Sequence, residues 1–146
     1  MRRISLRCLP AFGSASSPFR NLSLCQMTPC SIILPAHDEA GYIDTVLKSI
    51  LTQDHSGPVE AIVIANGCSD DTAARARAHA PAFAARGWQL CVEELAQGGK
   101  IGALNHGDTR ASHGIRIYLD ADIRLSPHLL AGLVQLRGGG LQRLVL

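Results

Sequence analysis

Short apolar runs alternating with helical patterns predict an α/β domain, with a mostly parallel sheet and flanking helices. Two further observations support that class. Each run is nearly continuous in apolar residues, as strands buried on both faces are, and the chain's polar clusters fall directly after these runs. Ligands of such sheets sit outside the carboxyl ends of the strands. His37 to Glu39, Asn66 to Asp71, Gly98 to Lys100 and Asp120 to Asp122 are therefore expected to meet at one site.

The elements follow in order. Cys30-Ser31-Ile32-Ile33-Leu34 reads as a buried strand halted by Pro35. After the polar turn Pro35-Ala36-His37-Asp38-Glu39, the residues Ile43, Val46, Leu47, Ile50 and Leu51 recur at helical spacing. Asp38 is the expected N-cap and Glu39 the first-turn acid of that helix. Gly57-Pro58 breaks the chain before a second strand, Val59 to Ala65, and Asn66-Gly67-Cys68 makes the turn. Ser69-Asp70-Asp71-Thr72 is expected to cap one alanine-rich helix that runs to about Arg86 and ends at Gly87. A third strand spans Gln89 to Leu95, and Gln97-Gly98-Gly99-Lys100 leads into a helix containing Ile101, Leu104 and Asn105. A strand from Ile115 to Leu119 then ends in Asp120-Ala121-Asp122.

That ending carries chemistry. Side chains at i and i+2 of an extended segment point the same way, so Asp120 and Asp122 share one side if the strand continues through them. Two hard oxygen ligands suit Mg²⁺ or Mn²⁺, ions that complete their shells with water and substrate phosphates. The competing reading is plainer: the two acids end a strand, and Ser126-Pro127 starts the next helix.

The 146 residues suffice for one domain with a real core, and 47% apolar with 18% charged residues is globular composition. A net charge of +2 gives no case for a nucleic-acid partner. Four of the 14 basic residues (Arg2, Arg3, Arg7, Arg20) precede Met27, where no acid stands, so the body has 10 basic against 12 acidic residues. Residues 1–29 read as a disordered leader, a transit peptide or a misassigned start, with Met27 the natural one, and 30–146 as the domain. Five cysteines without a C-x-x-C pair suit a reduced, intracellular setting. No apolar stretch approaches the roughly 18 to 20 residues that span a bilayer.

Several site classes fail on the residues. No G-x-G-x-x-G follows the first strand, the residue five before Gly99 is Glu94 rather than the Gly of a P-loop, and neither H-E-x-x-H nor a G-x-S-x-G elbow occurs. A domain that binds a phosphorylated ligand through a metal, polar loops and one lysine survives.

At this point four segments stand in register: Ile33-Leu34-Pro35-Ala36-His37-Asp38-Glu39; Val63 through Thr72; Gly99-Lys100-Ile101-Gly102-Ala103-Leu104-Asn105; and Leu119-Asp120-Ala121-Asp122. In order and spacing they resemble the family 2 glycosyltransferases of GT-A fold over about residues 31 to 137. The resemblance implies the Rossmann-like nucleotide-binding half of a GT-A domain. It implies transfer of a sugar from a nucleoside-diphosphate sugar to an acceptor hydroxyl, dependent on Mg²⁺ or Mn²⁺ and inverting; the acceptor itself stays unassigned.

Residue by residue, it implies that Pro35, His37 and Glu39 line the base and ribose, and that Asn66 stands where relatives often carry an acid for the base. Asp70 matches another acid of the family, and is equally readable as a structural helix-start residue. Lys100 lies by the diphosphate, Asp120 binds ribose or the metal, and Asp122 the metal. The family's general base lies beyond the Asp-x-Asp segment, so it is expected beyond residue 146. The Gly138-Gly139-Gly140 run and basic-apolar tail read as a truncated end, which leaves a nucleotide-sugar-binding fragment without transfer as the alternative. A nucleotidyltransferase is fainter, since Pro35 to Glu39 lacks a Gly-rich basic loop. Location in the cytoplasm, or against its membrane face, is what the resemblance suggests.

Overall fold

The computed structural model describes residues 27–135 and 142–146. Its five strands, β1 (Cys30–Ala36), β2 (Val59–Asn66), β3 (Gln89–Leu95), β4 (Ile115–Tyr118) and β5 (Gln142–Val145), form one sheet in the order β3-β2-β1-β4-β5. All four pairings are parallel. The helices are α1 (Ile43–Leu51), α2 (Thr72–Ala78), α3 (Ala80–Ala85), α4 (Lys100–Arg110) and α5 (Leu129–Gln135). This is the predicted α/β class.

Alternation along the strands sorts the core into two layers. Ile32, Leu34, Val63 and Ile117 face a large cluster with Val46, Leu47 and Ile50 of α1, Phe83 of α3 and Leu130 of α5. Ile33, Ile62 and Ile64 face a thin layer completed by Ala103 of α4. Helix α4 lies so close to the sheet that a Cβ on Gly107 would stand 2.5 Å from Ile33 Cγ2. Only hydrogen fits there.

Four expectations are corrected. The first strand passes through Pro35 to Ala36, because β4 pairs with β1 only as far as Ile33 and leaves Pro35 beside β2 alone. Asp38 does not cap α1: its φ of 54° is left-handed backbone, and its carboxylate turns away to accept from the Ser69 and Asp70 N–H groups. The alanine-rich helix is two helices, broken at His79, since Pro81 has no N–H for the preceding turn and fits only in the first turn of a new helix. The fourth strand ends at Tyr118, so Leu119 to Asp122 is loop and turn, and α5 begins at Leu129, after Ser126-Pro127.

The tail was not expected to form a strand, yet Gln142–Val145 pairs with β4. A polar anchor holds it. Asp108 of α4 meets Arg116 of β4 at 2.7 Å and Arg143 of β5 at 2.5 Å, and accepts the Tyr118 hydroxyl at 2.6 Å. Partial burial would raise the Asp108 carboxyl, but the Tyr118 and Arg116 hydrogen bonds outweigh it and hold the group below its ordinary range. The expected leader lies almost wholly outside the described residues, as do Cys8 and Cys25. Of the other thiols Cys30 is buried, and burial pushes it up to about 12. Among the described residues no helix is long and apolar enough to cross a membrane.

Candidate functional site

Strand order reverses between β1 and β4, because the chain steps outward from β1 to β2 and β3 and then crosses back to β4. Loops leaving β1 and β4 there diverge, which opens a crevice at the carboxyl ends. A cleft of about 590 Å³ lies at this place, lined by Pro35, His37, Glu39, Asn66, Gly98 to Lys100, and Asp120 to Asp122. Seven of the eight residues singled out from the sequence stand on its walls. Asp70 does not.

Asn66, at the end of β2 and 3% exposed, ties the walls together. Its amide donates to Ala36 O at 2.8 Å, at the end of β1, and its carbonyl accepts the Gly99 N–H at 2.8 Å. The next residue, Gly67, has φ 60°, and a Cβ there would stand 2.7 Å from Gly98 N. The turn after β2 and the loop before α4 can touch only because this position is glycine. On the opposite wall His37 Nδ1 lies 2.7 Å from Asn66 O. A carbonyl only accepts, so Nδ1 carries the proton in that contact.

Asp70 is exposed and stands outside the cleft lining. Its carboxylate takes the Thr72 hydroxyl (2.5 Å) and N–H (3.0 Å) and the Ala40 N–H (3.0 Å). Asp38 takes the Ser69 N–H at 2.6 Å and the Asp70 N–H at 3.3 Å. The Thr72 hydroxyl bond holds Asp70 below the ordinary carboxylate range, and the Ser69 N–H does the same for Asp38. Ligand atoms of Asp38, Asp70 and Cys68 lie within 4.8 Å of one another, but the two carboxylates are already engaged in knotting the β1 loop to the β2 loop. Sequence reading missed this knot. Its partners stand 30 to 32 residues apart, and no local pattern in the sequence records them.

The floor is electrostatic. Lys100 Nζ stands 2.6 Å from Asp120 Oδ1, so a cation already sits on one of the two acids. Asp122 forms no ion pair or hydrogen bond among the described residues, and its exposed carboxylate borders the cleft. Two oxygen-donor side chains, one of them free, on a cleft open to water fit a hard divalent cation that keeps water and takes phosphate oxygens. Lys100 is also the first residue of α4, whose first-turn N–H groups lack helical partners and favour an anion.

A parallel sheet with helices on both faces, its strand order reversing over an acidic cleft, is a doubly wound α/β domain, and the solved structures it resembles make it one of GT-A fold. The family model of Glycosyl transferase family 2 matches residues 31–137. The chain belongs to that family. A mannosyltransferase from Pyrobaculum calidifontis, solved with GDP-Man and Mn²⁺, is 28% identical with a TM-score of 0.65, over 75% of this chain and 32% of that one. TarS of S. aureus superposes with a TM-score of 0.64 at 21% identity, over 73% of this chain and 19% of that one. Glucosyl-3-phosphoglycerate synthase from Mycobacterium tuberculosis, in complex with UDP, gives 0.50 at 24%, over 82% and 43%. The last two share the fold. The chain therefore spans less than half the length of each of these proteins. No curated protein sequence matches it significantly.

Proposed function

We propose that this chain binds a nucleoside-diphosphate sugar in the cleft between β1 and β4 and serves the transfer of that sugar to an acceptor hydroxyl, with inversion. The observation that carries the reading is the pairing of a free Asp122 with the Lys100–Asp120 couple at the sheet's reversal point. Asp122 and Asp120 would hold Mg²⁺ or Mn²⁺. When bound, the ion would supply Lewis-acid neutralisation of charge on the departing diphosphate.

The chain's own groups do the rest. Lys100 is a compact point charge, and a diphosphate entering the cleft competes with Asp120 for it. The amino end of α4 adds partial positive charge beside Gly98 and Gly99. Pro35, His37 and Glu39 form the wall for base and ribose, and Asn66, committed to Ala36 O and Gly99 N–H, keeps that wall at fixed distance from the lysine loop. Asp70 supports the same wall by accepting the Ala40 N–H beside Glu39. Holding the donor so is the orienting part of catalysis. None of these residues is assigned the removal of the acceptor's proton. The mannosyltransferase relative, solved with GDP-Man and Mn²⁺, supports a sugar nucleotide and a divalent ion as the ligands.

The test offers UDP- and GDP-sugars to the protein with Mn²⁺, Mg²⁺ or a chelator, and follows both binding and release of the free nucleoside diphosphate. Metal-dependent binding with release supports transferase chemistry. Binding with no release supports the donor-binding reading instead, and no binding to any sugar nucleotide refutes both.

A further inference from the structure

Among the described residues, cationic side chains are almost all spoken for. Of the nine lysines and arginines among the described residues, six are ion-paired to carboxylates. Arg86 is a seventh, bound to the carbonyls of Leu51, Gln53 and His55. Only Lys48 and Arg124 have no partner among the described residues, and both line one groove of about 450 Å³ between α1 and the segment that follows Asp122.

The groove is chemically unlike the cleft. No carboxylate lines it, whereas the cleft carries Glu39, Asp120 and Asp122. Thr45 and Ser126 also line it, and their hydroxyls make no hydrogen bond among the described residues. Thr45 and Lys48 of α1 and Thr52, the cap residue just after it, recur at three- and four-residue spacing, so they follow one face of the helix. The opposite bank is fixed, because buried Ser49 accepts the Leu125 N–H at 3.1 Å and Gln53 donates to Ser126 O at 2.7 Å. Two positive charges and two free hydroxyl donors on rigid banks match a phosphate dianion, which accepts several charge-assisted bonds at once. A dianion in the cleft needs a metal to offset the acids. In this groove it needs none.

We propose that the groove is a second, metal-independent anion site that takes a phosphate monoester, held by Lys48 and Arg124. The inference rests on these residues and not on the reading of the cleft. The ester belongs either to a soluble phosphorylated molecule or to a lipid headgroup, and the experiment separates them.

Inorganic phosphate is titrated into the full chain with a chelator present, followed by amide and Arg Nε–H nuclear magnetic resonance. The expected result is saturable shifts at Thr45, Thr52, Leu125 and the Arg124 side chain. Lys48→Ala and Arg124→Ala, both at exposed positions, each weaken that binding about ten-fold or more, while the spectrum elsewhere shows the fold retained. Tighter binding of glycerol 3-phosphate than of phosphate then marks a soluble ester; co-sedimentation with phosphatidic acid vesicles but not phosphatidylcholine vesicles, lost in both variants, marks a headgroup. Shifts confined to Gly98, Gly99 and Lys100, or binding that both variants leave unchanged, overturn the proposal.

Discussion

Lys100 and Asp120 stand 2.6 Å apart on a half-exposed floor, where an ion pair is worth little by itself because water screens it and two long side chains must be ordered. The pair is therefore easily exchanged for a better anion, which suits the diphosphate role proposed for Lys100. Lys100→Ala is expected to weaken nucleoside-diphosphate binding by about ten-fold or more, and Lys100→Arg to restore only part of it, as a planar fork replaces a point charge. Calorimetric titration of both variants with UDP and GDP checks this. Equal affinity in Lys100→Ala and the unaltered chain would remove the lysine from the site. Legibility at this scale was uneven. Residue types and spacing placed Lys100, Asp120 and Asp122 together, because each follows a strand end. That Asn66 is committed to Ala36 O and Gly99 N–H was hidden, since those partners lie 30 and 33 residues away and no local pattern records them.

Among elements, α4 and α1 set the two sides of the sheet. Helix α4 seats on β1 through Gly107, where a Cβ would meet Ile33 Cγ2 at 2.5 Å with Ile33 fully buried. Gly107→Ala gains helix propensity but overpacks that contact, so a net loss of about 1–3 kcal/mol is expected, read from the urea midpoint. A stabilised variant would show that α4 can lift off the sheet freely.

Helix α1 is tied to the α2–α3 junction by Asp44, which shares a 2.8 Å hydrogen bond with His79 Nε2 and meets Arg75 at 3.0 Å. The His79 bond, opposed by slight burial and aided by Arg75, holds Asp44 below its ordinary 3.8. A carboxyl lowered by folding contributes stability that is fully present above its unfolded value and lost as pH falls through its folded one. Melting temperatures of the unaltered chain should thus exceed those of Asp44→Asn near neutrality and converge with them in acid below 3.8. A gap that stays constant with pH contradicts this assignment. The break at His79 was partly legible, because Pro81 lay inside the alanine-rich run; the error was to let alanine propensity outweigh a missing N–H.

For the whole molecule, the order β3-β2-β1-β4-β5 explains why four sequence clusters far apart in the chain share one cleft. Their common position after apolar runs was enough to foresee that convergence. The pairing of β5 with β4 was not foreseeable in the same way: Gln142–Val145 is short, and what holds it is Arg143 on Asp108, a contact across 35 residues. The loops after β1 and β2 are joined by the Asp38 and Asp70 knot, and the cleft they border keeps in Asp122 a carboxylate with no ion pair or hydrogen bond among the described residues.

The central claim is that Asp122 makes nucleoside-diphosphate binding metal-dependent, and the most direct measurement is titration of UDP and GDP into the unaltered chain and Asp122→Ala, with Mn²⁺ and with chelator. The account predicts that Mn²⁺ tightens binding of at least one nucleotide by ten-fold or more in the unaltered chain and changes nothing in Asp122→Ala. Equal metal dependence in both proteins would contradict it.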